Sequence, residues 1–193
     1  QIGSSMKSVG EIMSIGKLFE EVIQKGLRMI GQGMHGFVGN ENQHFDDLDK
    51  ELSNPTDLRV FAIAEALKQG YTIERLFELT KISPWFLEKL KNIYDYSVVL
   101  SGYNSIEELP VEVLWEAKRL GFSDFQIARF VGKCRENMHK QALAVRALRK
   151  KNNVLPTVKR INTIASEHPE LTNYLYMTYD GKDHDIPFFK NEK

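Results

Sequence analysis

The punctuation of its helices constrains this chain most. From Lys17 to Lys151, apolar stripes of helical period are repeatedly opened by a capping residue or proline and closed by glycine after a few turns. Thr72, Ser83-Pro84 and Ser123 read as starts, and Gly70, Gly102, Gly121 and Gly132 read as stops. Helices this short are marginal alone in water and take most of their stability from packing an apolar face on neighbours. The chain is therefore expected to be mostly α: an irregular helical bundle, with short extended or strand segments at both ends.

In order, Lys17 to Ile30 sets Leu18, Val22, Ile23, Leu27 and Ile30 on one helical face, widened by Phe19 and Met29. Four glycines from Gly31 to Gly39 break that helix, and residues 32–42 have the composition of a surface loop. His35 and His44 fall in or beside it without companions at metal-ligand spacing, which points to loop histidines rather than ligands. Phe45 to Leu52 reads as one short helix, its acidic start Asp46-Asp47-x-Asp49 suited to the positive end of the helix dipole. Asn54-Pro55 reads as a cap with proline at the first helical position, opening a helix that ends at Gly70. Further helices are expected over 73–79, from Ser83-Pro84 to Gly102, and from Pro110 to Leu120 with Val113, Leu114 and Ala117 inward. Trp85, Phe86 and Tyr94 lie on the long helix at helical spacing and, with Leu18, Val22 and Leu27, are candidate core or interface residues rather than an aromatic cage.

Ser123-Asp124-Phe125-Gln126 has the form of a capping box, and it starts a short helix ended by Gly132. Met138 to Lys151 follows as a basic helix. With Arg135, Lys140, Arg146, Arg149, Lys150 and Lys151, the region 123–151 has the outline of a helix-turn-helix that could read nucleic acid. The competing and favoured expectation is two packed helices with solvated basic faces. Overall charge supports it: 26 Lys and Arg balance 26 Asp and Glu, and general polyanion binding draws on an excess of basic side chains. No nucleic-acid partner is expected, nor a membrane one, because no apolar run approaches the length of a span. The single cysteine, Cys134, has no internal disulfide partner, which suits a reducing compartment.

Both ends differ in texture. Met6 to Gly16 is β-leaning and glycine-punctuated, and Thr172 to Tyr179 is strand-like, with Tyr174, Tyr176 and Thr178 on one face. Each reads as a strand without a sheet of its own, as though the segment were cut from a longer chain. Ile186 to Phe189 reads as a last extended piece. Glu11, Glu167 and Asp185 are isolated carboxylates, and no nucleophile with a base, phosphate-cradling glycine loop or Cys/His cluster appears in order.

Three blocks carry a family likeness. Met6-Lys7-Ser8-Val9-Gly10-Glu11-Ile12-Met13-Ser14-Ile15-Gly16, then Ile82-Ser83-Pro84-Trp85-Phe86-Leu87, then Gly121-Phe122-Ser123-Asp124-x-Gln126-Ile127-Ala128 stand in the order found in the large chain of carbamoyl phosphate synthetase. Lys159 to Glu167 and Thr172 to Tyr179 extend the match, so that the chain resembles that family almost throughout. The resemblance implies three parts: 1–16 ending a first ATP-grasp synthetase half, 17–157 a helical oligomerisation and connection domain, and 158–193 leading into a second half. It implies a non-catalytic module of a glutamine-dependent synthetase that makes carbamoyl phosphate from bicarbonate with ATP, in the first step of pyrimidine synthesis. No catalytic, metal or cofactor-binding residue is implied here; ATP with Mg²⁺ and K⁺ belong to the parent enzyme. Met6 and Lys7 are candidates to line the buried carbamate path between the two halves. The implied partners are the flanking synthetase domains, a glutaminase domain of the parent, and further copies of the chain as a dimer or tetramer.

Departures from the family pattern are the longer linker within 132–146 and Lys17, Gly26, Asn162 and Ser166, where Arg, Ala, Asp and Ala are expected. The insertion, Asn54-Pro55-Thr56-Asp57 and Thr172-Asn173-Tyr174-Leu175-Tyr176 are closer to the eukaryotic multifunctional pyrimidine enzymes that also carry aspartate transcarbamoylase. That form implies a cytoplasmic setting; the rival arginine-pathway synthetase implies a mitochondrial one.

Overall fold

A computed structural model describes residues 11–30, 33–40, 44–132, 137–161 and 174–186. Eight α-helices and one two-stranded sheet occur among them: α1 Phe19–Met29, α2 Leu48–Ser53, α3 Arg59–Lys68, α4 Ile73–Thr80, α5 Pro84–Ser101, α6 Val111–Arg119, α7 Asp124–Phe130, α8 Met138–Lys151, β1 Thr157–Arg160 and β2 Leu175–Thr178. A 3₁₀ turn, Ile106–Glu108, joins α5 to α6. The core runs through all of the bundle, with Leu52, Ile63, Leu76, Leu87, Ile93, Leu100, Leu114 and Ile127 fully buried. No single helix pair encloses it; the short helices close on one another, as their lengths require.

The punctuation expected from sequence holds at most helix ends. Thr72 accepts from the Arg75 amide at 3.2 Å to cap α4. Ser123 accepts from the Gln126 amide at 3.0 Å while the Gln126 side chain accepts from the Ser123 amide at 3.1 Å, a complete capping box on α7. Pro84 occupies the first turn of α5, although the Ser83 side chain makes no cap bond.

Asn54-Pro55 departs from expectation. Asn54 closes α2, its amide donating to Lys50 O at 2.9 Å, and α3 starts only at Arg59 behind Leu58. Thr56 and Asp57 form an intervening turn, in which Thr56 Oγ1 donates to Glu51 and accepts from the Leu58 amide at 3.1 Å. Arg59 explains the delayed start: its guanidinium donates to Leu52 O at 2.6 Å and Thr80 O at 2.9 Å, satisfying the carbonyl ends of α2 and α4 together. The acidic run at the start of α2 also makes specific bonds beyond its favourable place on the helix dipole. Asp47 caps the helix through the Lys50 amide at 2.9 Å, and Asp49 accepts from Tyr71 at 2.8 Å and Arg75 at 2.6 Å.

The C-terminal strand has a local partner. β2 pairs antiparallel with β1 in the register Thr157 to Thr178 and Arg160 to Leu175. β1 follows Pro156 and has no distinctive alternation, so it carries no strand signal of its own. On the expected face of β2, Thr178 is buried, Tyr176 is half-buried and Tyr174 is exposed. At the other end, 11–16 is irregular and forms no strand. Met6 to Gly10 and Pro187 to Phe189 lie outside the described residues.

Candidate functional site

α1 corrects the simplest expectation. Of its apolar face only Leu27 is fully buried; Leu18, Val22 and Ile23 are half-buried, and Met29 and Ile30 are exposed. The residues that α1 buries with Leu27 are Glu20, Glu21, Gln24 and Gly26. Buried polar groups persist only where they are hydrogen-bonded, and each of the three has found partners on another element.

Glu21 and Lys25 clasp the two ends of the described chain. Glu21 accepts from the Lys17 amide at 3.0 Å, from Lys25 Nζ at 2.5 Å and from Thr178 Oγ1 on β2 at 3.0 Å. Lys25 Nζ donates onward to Ile15 O at 3.0 Å and Met177 O at 2.7 Å, using all three of its donors. Ser14 adds a bond to Val22 O at 2.8 Å. Thus the segment that enters the helical body and the strand that leaves it are held side by side on one turn of α1. Glu20 ties the same helix to α5 by accepting from Asn92 Nδ2 at 3.0 Å.

Two further polar clusters set the position of α1 and α8 against α6 and α7. Gln24 Oε1 accepts from Gln126 Nε2 at 2.9 Å and from the Phe37 amide at 3.2 Å, while Gln126 Oε1 accepts from Arg28 at 3.2 Å. Gly36 passes over this pair at φ +147°, where a Cβ would stand 2.3 Å from Gln24 Oε1. Gly121, at φ +87°, lets α1 approach so closely that a Cβ would stand 2.8 Å from Glu21 Cα. Arg28 donates to Gly121 O at 2.8 Å, and burial lowers its pKa to about 10. In the second cluster Asp124 accepts from Lys118 at 2.8 Å and from Arg149 at 2.9 Å. Burial lowers Lys118 to about 8 against the pull of Asp124, with Arg149 and Arg28 adding to the depression. Burial works to raise the Asp124 pKa, but Lys118 and Arg149 outweigh it and hold the carboxyl below its usual range.

The sequence-derived candidates separate into two sets. Leu27 belongs to the core and Leu18, Val22 and Tyr94 flank it half-buried, whereas Trp85 is 52% exposed and Phe86 42% exposed. Trp85 and Phe86 cross at 86° with ring centres 4.9 Å apart, and Phe19 of α1 packs on both, at 5.8 and 5.1 Å. They form an aromatic surface cluster. Met6 and Lys7 lie outside the described residues. In the helix-turn-helix outline, Arg149 is tied inward to Asp124 and so is not presented on an outer recognition face. Among the described residues no helix is long and apolar enough to cross a membrane. The clasp was invisible in the sequence, since the Thr178 hydroxyl lies 157 positions from Glu21. Gln126 alone carried a signal, through the capping box.

The bundle of short helices buries polar groups that tie residues 14–15 and strand β2 to α1, and it leaves an aromatic cluster uncovered. The chain belongs to the family of the carbamoyl-phosphate synthetase large chain, oligomerisation domain, whose sequence profile it matches over residues 11–153. It is 50% identical over 190 residues to multifunctional protein CAD of Squalus acanthias, covering 98% of this chain and 8% of that protein. It is 48% identical over 189 residues to multifunctional protein URA2 of Saccharomyces cerevisiae, at 97% and 8% coverage. It is also 47% identical over 189 residues to the mitochondrial arginine-specific carbamoyl phosphate synthase large chain of Schizosaccharomyces pombe, at 97% and 15%.

Proposed function

We propose that this chain is the connecting and self-associating module of a multifunctional carbamoyl phosphate synthetase. The Glu21–Lys25 clasp carries the reading: it brings the entering segment and leaving strand onto one turn of α1, so domains attached to the two ends would be held in fixed relation. Such a module works by geometry rather than chemistry. Flanking ATP-grasp halves would perform the ATP-dependent steps with Mg²⁺ and K⁺, fed by a glutaminase domain, and Met6 and Lys7 would border the path between them. The pyrimidine form is favoured by the likeness to the multifunctional proteins of Squalus acanthias and Saccharomyces cerevisiae, and it implies a cytoplasmic parent. The arginine-specific relative, named as mitochondrial, keeps the other pathway as the second reading.

Light scattering at high micromolar concentration tests self-association. A dimer or larger species is expected, and a strict monomer would overturn that part of the proposal. Turnover of ATP with bicarbonate and ammonia by the 193-residue chain itself would overturn the non-catalytic part.

A further inference from the structure

Between α1, the α6–α7 turn, α8 and the sheet lies an open cavity of about 510 Å³ whose charge is one-sided. Six cationic side chains line it, Lys25, Arg28, Lys118, Arg146, Arg149 and Lys150, against two carboxylates, Glu21 and Asp124. Those carboxylates are already engaged, Glu21 by Lys25 and Asp124 by Lys118 and Arg149. Among the described residues Arg28, Arg146 and Lys150 form no ion pair. Arg28 has only neutral acceptors, Gly121 O and Gln126 Oε1.

A solvated basic face explains part of this. Cations in the last turn of α8 are favoured by the negative end of its dipole, and Lys151 needs no other reason. That reason does not extend to Arg28 and Lys118, which come from α1 and α6 and are withdrawn from water. Nor does it suit Arg146 and Lys150, which repel one another at i,i+4 spacing on the cavity side of α8. Burial lowers the pKa of Arg28 and is the main cause for Lys118, which Asp124 pulls back up and Arg149 and Arg28 lower further.

We propose that this cavity binds a multivalent phosphate, either pyrophosphate or the phosphate end of an organic di- or triphosphate. Arg146 and the uncommitted guanidinium nitrogens of Arg28 and Arg149 supply donors that match phosphate oxygens, and Lys150 adds point charge. Leu155, Pro156 and Met177 form an apolar wall at the same opening, which suits an organic remainder. A multivalent anion there would bridge α1, α6 and α8 and so tighten the seat of the clasp.

Inorganic pyrophosphate is the probe. Titrated calorimetrically into the 193-residue chain at low salt, it is expected to bind at one site, with affinity falling as salt rises. Arg146→Glu with Lys150→Glu changes two exposed side chains outside the core and should weaken binding by at least about tenfold. Lys140→Glu with Lys151→Glu makes the same change in net charge away from the cavity and should leave the affinity within about twofold. The same titration on the multidomain parent, without added nucleotide, should show one pyrophosphate-binding event that is missing from the parent carrying the Arg146/Lys150 double variant. Absence of binding, or equal weakening by both double variants, would overturn the proposal and leave only a solvated basic face. Binding by the isolated chain that disappears in the parent would also overturn it, since the parent's own acidic groups would then fill the cavity.

Discussion

At the scale of single residues, the decisive side chains are the polar ones that α1 and α7 bury. Gln126 uses its amide in four directions at once: to the Ser123 amide, Arg28, Gln24 and Val38 O. Gln126→Leu would keep the volume but remove one buried partner each from Gln24, Arg28 and Val38 O and undo half of the capping box, so a loss on the order of 2–4 kcal/mol is expected in urea denaturation. A change below about 0.5 kcal/mol, as for a surface site, would show that the amide network contributes nothing. Lys118 gives the chain a pH signature. Its folded pKa of about 8 lies below the ordinary lysine value of 10.5, so between these values the unfolded chain binds the additional proton. By linkage the cost of burying the charged amine is fully present below pH 8 and is relieved as pH rises toward 10.5, and stability from this group therefore increases across that window. Asp124, Arg149, Arg28 and Tyr179 face the same amine, so the informative quantity is the difference from Lys118→Met, which should be flat where the parent curve climbs by up to a few kcal/mol. Parallel curves would refute the assignment.

At the scale of elements, most helix ends could be read directly because capping is local chemistry: Thr72, Ser123 and Gln126 act on amides within three residues of themselves. Asn54-Pro55 misled for the complementary reason. Its local signal was correct for a turn, but the start of α3 was decided by Arg59 reaching the carbonyl ends of α2 and α4. The pairing of β2 with β1 was equally unreadable, because a four-residue strand acquires its identity from the partner that completes its hydrogen bonds. Lys25 is what fastens that sheet to the helical body. Lys25→Met keeps an unbranched apolar stem while removing the bonds to Ile15 O, Met177 O and Glu21. Amide exchange of residues 175–178 should then accelerate by about tenfold or more while the α5 core amides stay protected. Uniform acceleration of both would mean global destabilisation and would count against a local clasp.

At the scale of the whole molecule, the contrast is between a core that closes well and surfaces that do not. Leu87, Leu90 and Ile93 are buried on α5, yet Trp85 and Phe86 at its start remain open to water beside Phe19. If copies associate through that cluster, the melting temperature rises with protein concentration by mass action. Trp85→Glu with Phe86→Glu should abolish that dependence and lower the scattering mass toward the monomer. An unchanged mass in a folded double variant would place self-association on another face. The cationic cavity also belongs to this scale, since its lining comes from α1, α6, α8 and β2 and no one stretch of sequence announces it.

By itself the sequence determined that the chain is mostly α, where most of its helices start and stop, and which family it belongs to. These follow from short-range physics, a cap acting on the next turn and an apolar period exposing one face, and from motifs that survive in order. Only the tertiary structure decided which face of α1 is buried, where β2 finds its partner, and that Glu21, Lys25, Gln24 and Gln126 hold the molecule together. A buried polar group is stable only when its partner is present, and here the partners that join separate elements arrive from as far as 157 residues away.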